Sequence, residues 1–275
     1  MQNSLIGFIG AGNMTHAIIS GLINNNTNHN QIKISDTNEA LLLLRKTEFN
    51  IEIFTDNTKL ATQCSTIIFA VKPQVLSSVC KNLKNKLTTN TLIISIAAGV
   101  RSHDIERWLG GNQAIIRTMP NTPALLNQGI TGLFANKQVS NKQKFLAENI
   151  LNSVGECLWV NDEYLLNAIT AVSGSGPAYF FLMLESMTKA GVTLGLDEVV
   201  AQKLSIQTAL GASMMASRSK DSPQQLRNKV TSKNGTTQAA IESLQNQDFE
   251  IIIAHAIRAA SDKSNKIGIE LSNDE

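Results

Sequence analysis

The chain has 275 residues, 43% hydrophobic and 17% charged, and its 24 basic and 22 acidic side chains leave a formal net charge of +2. That length holds one large domain or two modest ones, each with a core, and the composition excludes fibrous, collagen-like and broadly disordered classes. So small a charge gives no electrostatic drive toward nucleic acid or an anionic membrane, and a small molecule is the expected partner.

The longest apolar stretches, 66–71 and 92–100, fall well short of the ~20 residues that span a bilayer, so no membrane partner is expected. The chain begins without a basic region ahead of an apolar core and cleavage site. Cys64, Cys80 and Cys157 are odd in number and far apart, which fits neither a disulfide framework nor a zinc site. A cytoplasmic protein without a metal is the expectation.

From residue 4 to about 160, short β-branched runs recur at 5–9, 32–35, 66–71, 92–96 and 114–117, separated by segments long enough for helices. This is a βαβ rhythm, and near-continuous apolar strands suit a parallel sheet covered on both faces. The fold class is therefore α/β, with an N-terminal doubly wound, Rossmann-like sheet over 1–160. Beyond Asn161 the pattern turns helical to about Gly268, predicting an all-helical domain over 161–275. Ser222-Pro223 marks a helix start, and Asn234-Gly235 a turn before another. The asparagine-rich stretch 24–30 reads as a solvated loop.

Gly10-Ala11-Gly12-Asn13-Met14-Thr15 follows the first strand and opens a helical pattern. Its glycines permit a tight turn and close backbone approach to a pyrophosphate at the helix N-terminus. Thr15 stands where glycine or alanine is usual, and a plain strand-to-helix turn is the competing reading. Asp36, just past the second strand, suits the adenosine ribose hydroxyls of NAD and would repel a 2′-phosphate, or else it is a turn residue capping the next helix. The first basic residues after it are Arg45 and Lys46, while Thr37, Asn38 and Asn57 can hydrogen-bond a phosphate. Preference between NADP(H) and NAD(H) stays open.

Val71-Lys72-Pro73 and Ala97-Ala98-Gly99 end the next two strands, at the carboxyl edge where such sheets place ligands. Lys72 alone reads equally as a surface lysine. Met119-Pro120-Asn121-Thr122-Pro123 is a stiffened loop. Ser173-Gly174-Ser175-Gly176-Pro177-Ala178-Tyr179 interrupts the helical pattern and reads best as a kink at a packing contact. Gly235-Thr236-Thr237 opens a late helix, whose N–H groups form a carboxylate site unless a threonine is an ordinary cap. None of His16, His29, His103 and His255 pairs with a nucleophile or carboxylate motif. That absence fits hydride transfer to a substrate carrying its own proton, such as an iminium ion.

Together these motifs, with Ile6 to Met14, Ala70 to Gln74, Arg117 to Pro123 and Val230 to Thr237, resemble the pyrroline-5-carboxylate reductase family over nearly the full length. The resemblance implies NAD(P)H-dependent reduction of 1-pyrroline-5-carboxylate to L-proline, the last step of proline biosynthesis, with hydride passing from nicotinamide C4 to the imine carbon. It aligns Ala11, Asn13, Met14, Thr37, Asn57, Val71, Lys72 and Ala97 with cofactor contacts. Thr236 and Thr237 match the backbone donors to the substrate carboxylate, the Thr237 hydroxyl the partner of the ring nitrogen, and Glu163, Thr170 and Ser232 other substrate-side positions. It further implies a homodimer formed through the helical half, often assembled into rings of dimers. Two departures stand out: Ser232-Lys233-Asn234-Gly235 replaces the usual Ser-Pro-Gly-Gly, and Lys229 replaces a polar uncharged residue.

Two other readings compete. A 3-hydroxyacid dehydrogenase needs a lysine early in the helical half, where Lys189 is the first after Asn161. A non-catalytic dinucleotide sensor would need only Gly10 and Gly12.

Overall fold

A computed structural model describes residues 4–272. The chain divides into two compact units, one running to Ser175 and resuming at Ala259, the other Gly176–Arg258.

The first unit is built in chain order from β1 (Ile6–Ile9), α1 (Asn13–Asn24), β2 (Ile32–Ser35), α2 (Glu39–Phe49), β3 (Glu52–Phe54), α3 (Asn57–Ala61), β4 (Thr66–Phe69), α4 (Pro73–Leu83), β5 (Leu92–Ser95), α5 (Ser102–Leu109), β6 (Ala114–Met119), β7 (Gly129–Ala135), α6 (Asn141–Leu151), β8 (Gly155–Trp159) and α7 (Leu165–Ile169). The strands form one sheet in the order β3-β2-β1-β4-β5-β6-β7-β8. All pairs are parallel except β6 with β7. The connection 120–128 holds only a short 3-10 turn, too little chain for a parallel crossover, so β7 must return antiparallel.

Strand residues alternate between the faces of a sheet, and both faces here are covered. Ile6, Phe8, Ile68, Ile94 and Ile116 pack with Ile18, Ile19 and Leu22 of α1 and Ile150 of α6. The intervening Ile9, Ile67, Phe69, Ile93 and Ile115 pack with Leu60, Leu76, Leu83, Ile105 and Trp108 from α3, α4 and α5. Each such side chain contributes roughly 1.5–3 kcal/mol on burial, which is why these strands are mostly apolar on both faces. Strand order reverses at β1, between β2 and β4, and the crevice at their carboxyl ends is where a doubly wound sheet binds its ligand.

Three strands were not anticipated. β3 is three residues long with an exposed Glu52, and β8 alternates half-buried and exposed positions. Both lie at sheet edges, where one-sided burial leaves no apolar run. β7, Gly129–Ala135, carries two glycines and owes its strand conformation to pairing on both sides.

The second unit contains α8 (Gly176–Thr193), α9 (Glu198–Arg218), α10 (Pro223–Lys229), α11 (Thr236–Asn246) and the start of α12 (Phe249–Ser272). Ser222 caps α10 through Gln225 N–H in a reciprocal capping box, with proline at the first turn, as the Ser222-Pro223 pair predicts. Phe180, Phe181, Leu182, Leu204, Ile206 and Leu210 on α8 and α9 are exposed. The continuous helical segment Leu165–Thr193, with a mean hydropathy of 1.2, is long and apolar enough by length and composition to cross a bilayer. A search for unbroken apolar runs passes over it, because Ser, Gly, Thr, Glu185 and Lys189 interrupt it.

Candidate dinucleotide and substrate-carboxylate sites

The first unit gathers the predicted dinucleotide residues along the carboxyl edge of its sheet. Gly10 leaves β1 with φ +109°, and a β-carbon there would stand 2.5 Å from the Ala70 carbonyl oxygen. Only glycine fits without strain. Its N–H donates to Ser35 O at 2.8 Å, and the buried Thr15 hydroxyl donates to the Gly10 carbonyl at 2.7 Å. Thr15 thus replaces glycine or alanine with a side chain that ties down the loop.

Gly12 differs in kind. It is exposed, takes the cap position of α1 in extended backbone (φ −68°, ψ −173°), and has no side-chain cap; α1 also lacks an acidic residue in its first turn. A β-carbon on Gly12 would meet nothing within 4 Å. The fold does not demand glycine here, and its bare backbone leaves the first N–H groups of α1 open to an anionic group. The cradle therefore fits a dinucleotide pyrophosphate, with Asn13 and Met14 as its first helical residues.

Asp36, at the end of β2, is half-buried and held twice: Ala11 N–H donates to Oδ2 at 2.7 Å and Asn38 N–H to Oδ1 at 2.9 Å. It is not the cap of α2, a role taken by Asn38 through Leu41 N–H. Thr37 beside it is exposed. Asn57 opens α3 and accepts from Ser35 Oγ at 2.8 Å. Lys72 takes the cap position of α4 with Pro73 at the first turn, so this proline starts a helix as well as ending a strand. Val71 is half-buried, Lys72 exposed, Ala97 buried and Ala98 half-buried.

Gly99 serves packing. At φ +80° a β-carbon would lie 3.0 Å from Ile267 Cγ2, because the later part of α12 returns against this loop. A second unforeseen arrangement lies beside it. Glu163 accepts from Ser102 N–H at 2.6 Å, Ser102 Oγ at 2.8 Å and Arg117 Nη1 at 2.8 Å. Arg117 is buried, and that burial pulls its guanidinium below the usual range while Glu163 opposes the shift. Glu163, expected on the substrate side, thus clamps the start of α5 to β6. Only the Arg117 motif hinted at this, since its partner lies 46 residues on.

Thr170 donates to Leu166 O at 2.7 Å at the head of a π-helical turn, Thr170–Gly174. The predicted 173–179 interruption is met only at its front, where the π turn ends before α8 resumes at Gly176, and there it is a packing contact: a β-carbon on Gly174 would meet Met119 Cε at 2.5 Å, and Asn121 Nδ2 donates to Ser173 O at 3.2 Å. The stiffened 119–123 loop and the small-residue segment, separate in sequence, are partners. His16 pairs with Glu48 and His29 with Asn50 O.

The second unit holds the late-helix motif. Gly235 is the cap of α11 and Thr236 and Thr237 its first residues, with no side-chain cap, so neither threonine is an ordinary cap. Asn234 is left-handed at φ 58°, a conformation asparagine tolerates, and its N–H donates to Gln238 Oε1 at 2.7 Å. Asparagine and glycine thereby make the turn without the family's proline. Ser232 and Thr236 are exposed and Thr237 is half-buried. Lys229 is drawn away by Asp221, 2.5 Å distant, and this contact holds the Asp221 carboxyl below its usual range.

The family model "Pyrroline-5-carboxylate reductase dimerisation" matches residues 163–267, and "NADP oxidoreductase coenzyme F420-dependent" matches 5–99. A pyrroline-5-carboxylate reductase of Pseudomonas aeruginosa is 45% identical over 98% of this chain and 99% of its own length. A solved pyrroline-5-carboxylate reductase of Coxiella burnetii superposes with a TM-score of 0.91 at 41% identity, covering 96% of this chain and 98% of the other. The Plasmodium falciparum pyrroline carboxylate reductase, solved with NADP bound, gives 0.87 at 32% identity, covering 98% and 99%. Similarity that runs through both the α/β half and the helical half, at close to full coverage, places this chain in the pyrroline-5-carboxylate reductase family.

Proposed function

We propose that the chain reduces 1-pyrroline-5-carboxylate to L-proline with NAD(P)H. The observation that carries the site assignment is the uncapped start of α11 at Thr236 and Thr237, a pair of main-chain donors suited to one carboxylate. Family membership supplies the reaction, and Gly10, Ala11, Gly12, Asn13 and Met14 form the cradle for the dinucleotide, with Asp36, Thr37, Asn57, Val71, Lys72, Pro73, Ala97 and Ala98 along the same edge.

When bound, the reduced nicotinamide supplies the hydride that the imine carbon takes up, and the ring nitrogen ends as an amine. The chain's own work is to orient and to stabilise charge. Thr236 and Thr237 N–H groups hold the carboxylate, and the Thr237 hydroxyl hydrogen-bonds the ring nitrogen, so no covalent step is needed. Ser232 completes the turn that presents them. Glu163 acts by holding Ser102 and Arg117, and Thr170 by shaping the π turn. The exposed apolar faces of α8 and α9 lie within the residues matched by the dimerisation model. A second copy covers them, which also accounts for the hydropathy of Leu165–Thr193.

Oxidation of NADH or NADPH dependent on pyrroline-5-carboxylate, with L-proline identified as product, tests the proposal. Dinucleotide binding without turnover would favour the sensor, and oxidation of a 3-hydroxyacid the dehydrogenase.

A further inference from the structure

Resting on the dinucleotide reading above, we infer that this chain selects NADH over NADPH, with Asp36 as the specificity-determining residue. A carboxylate at the end of the second strand of such a sheet meets the adenosine ribose, where it accepts from the 2′- and 3′-hydroxyls. Each Asp36 oxygen holds one backbone N–H, from Ala11 and from Asn38, and keeps a further lone pair for a ribose hydroxyl. The same two bonds stop the side chain from swinging aside for a phosphate. A 2′-phosphate would face a fixed negative charge.

Thr37 and Asn57 offer a phosphate only neutral donors, and no cation follows Asp36 closely in the chain. No lysine or arginine occurs between Asp36 and Leu44. Arg45 is buried, its Nε directed to Ala11 O at 3.4 Å and its Nη1 to Glu48 at 2.9 Å. The start of α2, otherwise a phosphate site, has its cap filled by Asn38 and carries Glu39 in its first turn. Asp56 adds a carboxylate just beyond β3, engaged with Thr58 N–H as the cap of α3. Lys72 follows β4, two strand positions from β2, roughly 10 Å away across the sheet. In a water-like medium, a doubly charged phosphate about 6 Å from a carboxylate loses about tenfold in affinity.

The test is fluorescence titration of NADH and NADPH, without substrate, into the intact protein at ~0.1 M salt, alongside kcat/KM for both cofactors. NADH is expected to bind about tenfold or more tightly than NADPH. Asp36→Asn, which keeps an acceptor for Ala11 N–H, should narrow the gap by improving NADPH binding. In the unmodified protein the gap should shrink as salt rises, because screening weakens repulsion, and this measurement stands even if the variant fails to fold. Equal affinities, tighter NADPH, or a gap that grows with salt would overturn the inference. If the titrations discriminate but neither cofactor reduces pyrroline-5-carboxylate, the reaction reading fails and the selectivity stands. If proline forms with both at equal kcat/KM and equal affinity, the selectivity fails and the reaction stands.

Discussion

Gly10 and Gly12 are two residues apart, yet substituting them should have opposite consequences. In Gly10→Ala the new methyl meets the Ala70 carbonyl oxygen at 2.5 Å and its carbon at 2.7 Å, on a backbone with φ +109°. The left-handed conformation alone costs about 1–2 kcal/mol, and relieving a backbone overlap brings the total to the order of 3 kcal/mol. At roughly 2–4 °C per kcal/mol for a domain this size, the Tm should fall by about 6–12 °C. Gly12→Val places its side chain in open space, on extended backbone that valine adopts readily. Losing a glycine cap costs about 1 kcal/mol or less. The valine fills the cradle, though, and displacing the pyrophosphate from one or two charge-assisted N–H bonds removes about 3 kcal/mol of binding, more than a hundredfold in Kd. Scanning calorimetry and nucleotide fluorescence titration read the two effects separately. A Gly12→Val protein that binds dinucleotide within about threefold of the unmodified chain would refute the cradle, whatever its Tm.

Thr237→Ala should lower kcat while leaving the dinucleotide Kd unchanged, because the hydroxyl is assigned to the substrate; unaltered turnover in steady-state assays would reject that assignment. Glu163→Ala leaves Arg117 buried without its counter-charge and Ser102 N–H without its acceptor. Urea denaturation should register a loss of about 3 kcal/mol, and a loss under about 1 kcal/mol would show that the clamp does little. Burial pushes the Cys64 thiol up to about 11 and that of Cys157 to about 12, from an ordinary 9.0. Native protein at pH 8 should therefore react with a thiol reagent roughly a hundredfold to a thousandfold more slowly than urea-unfolded protein. With native pKa values above the unfolded ones, the thiols' contribution to stability is complete below pH 9 and is lost as pH rises toward 11 and 12. Rapid native labelling, or a Tm flat across that range, would contradict the burial.

Local pattern alone specified the parallel half of the sheet, the glycine turn after β1, the proline-led start of α10 and the asparagine-glycine turn ahead of α11. These features follow from period, φ preference and missing donors, which act within a few residues of one another. Other features required the folded chain. β7 takes its conformation from neighbours on both sides. Glu163 finds Ser102 across 61 residues, Gly99 accommodates a helix that begins at Phe249, and Asp36 is immobilised by an N–H 25 residues earlier. No periodicity encodes such pairs, because a hydrogen bond or packing contact between distant segments depends on where the whole sheet carries them.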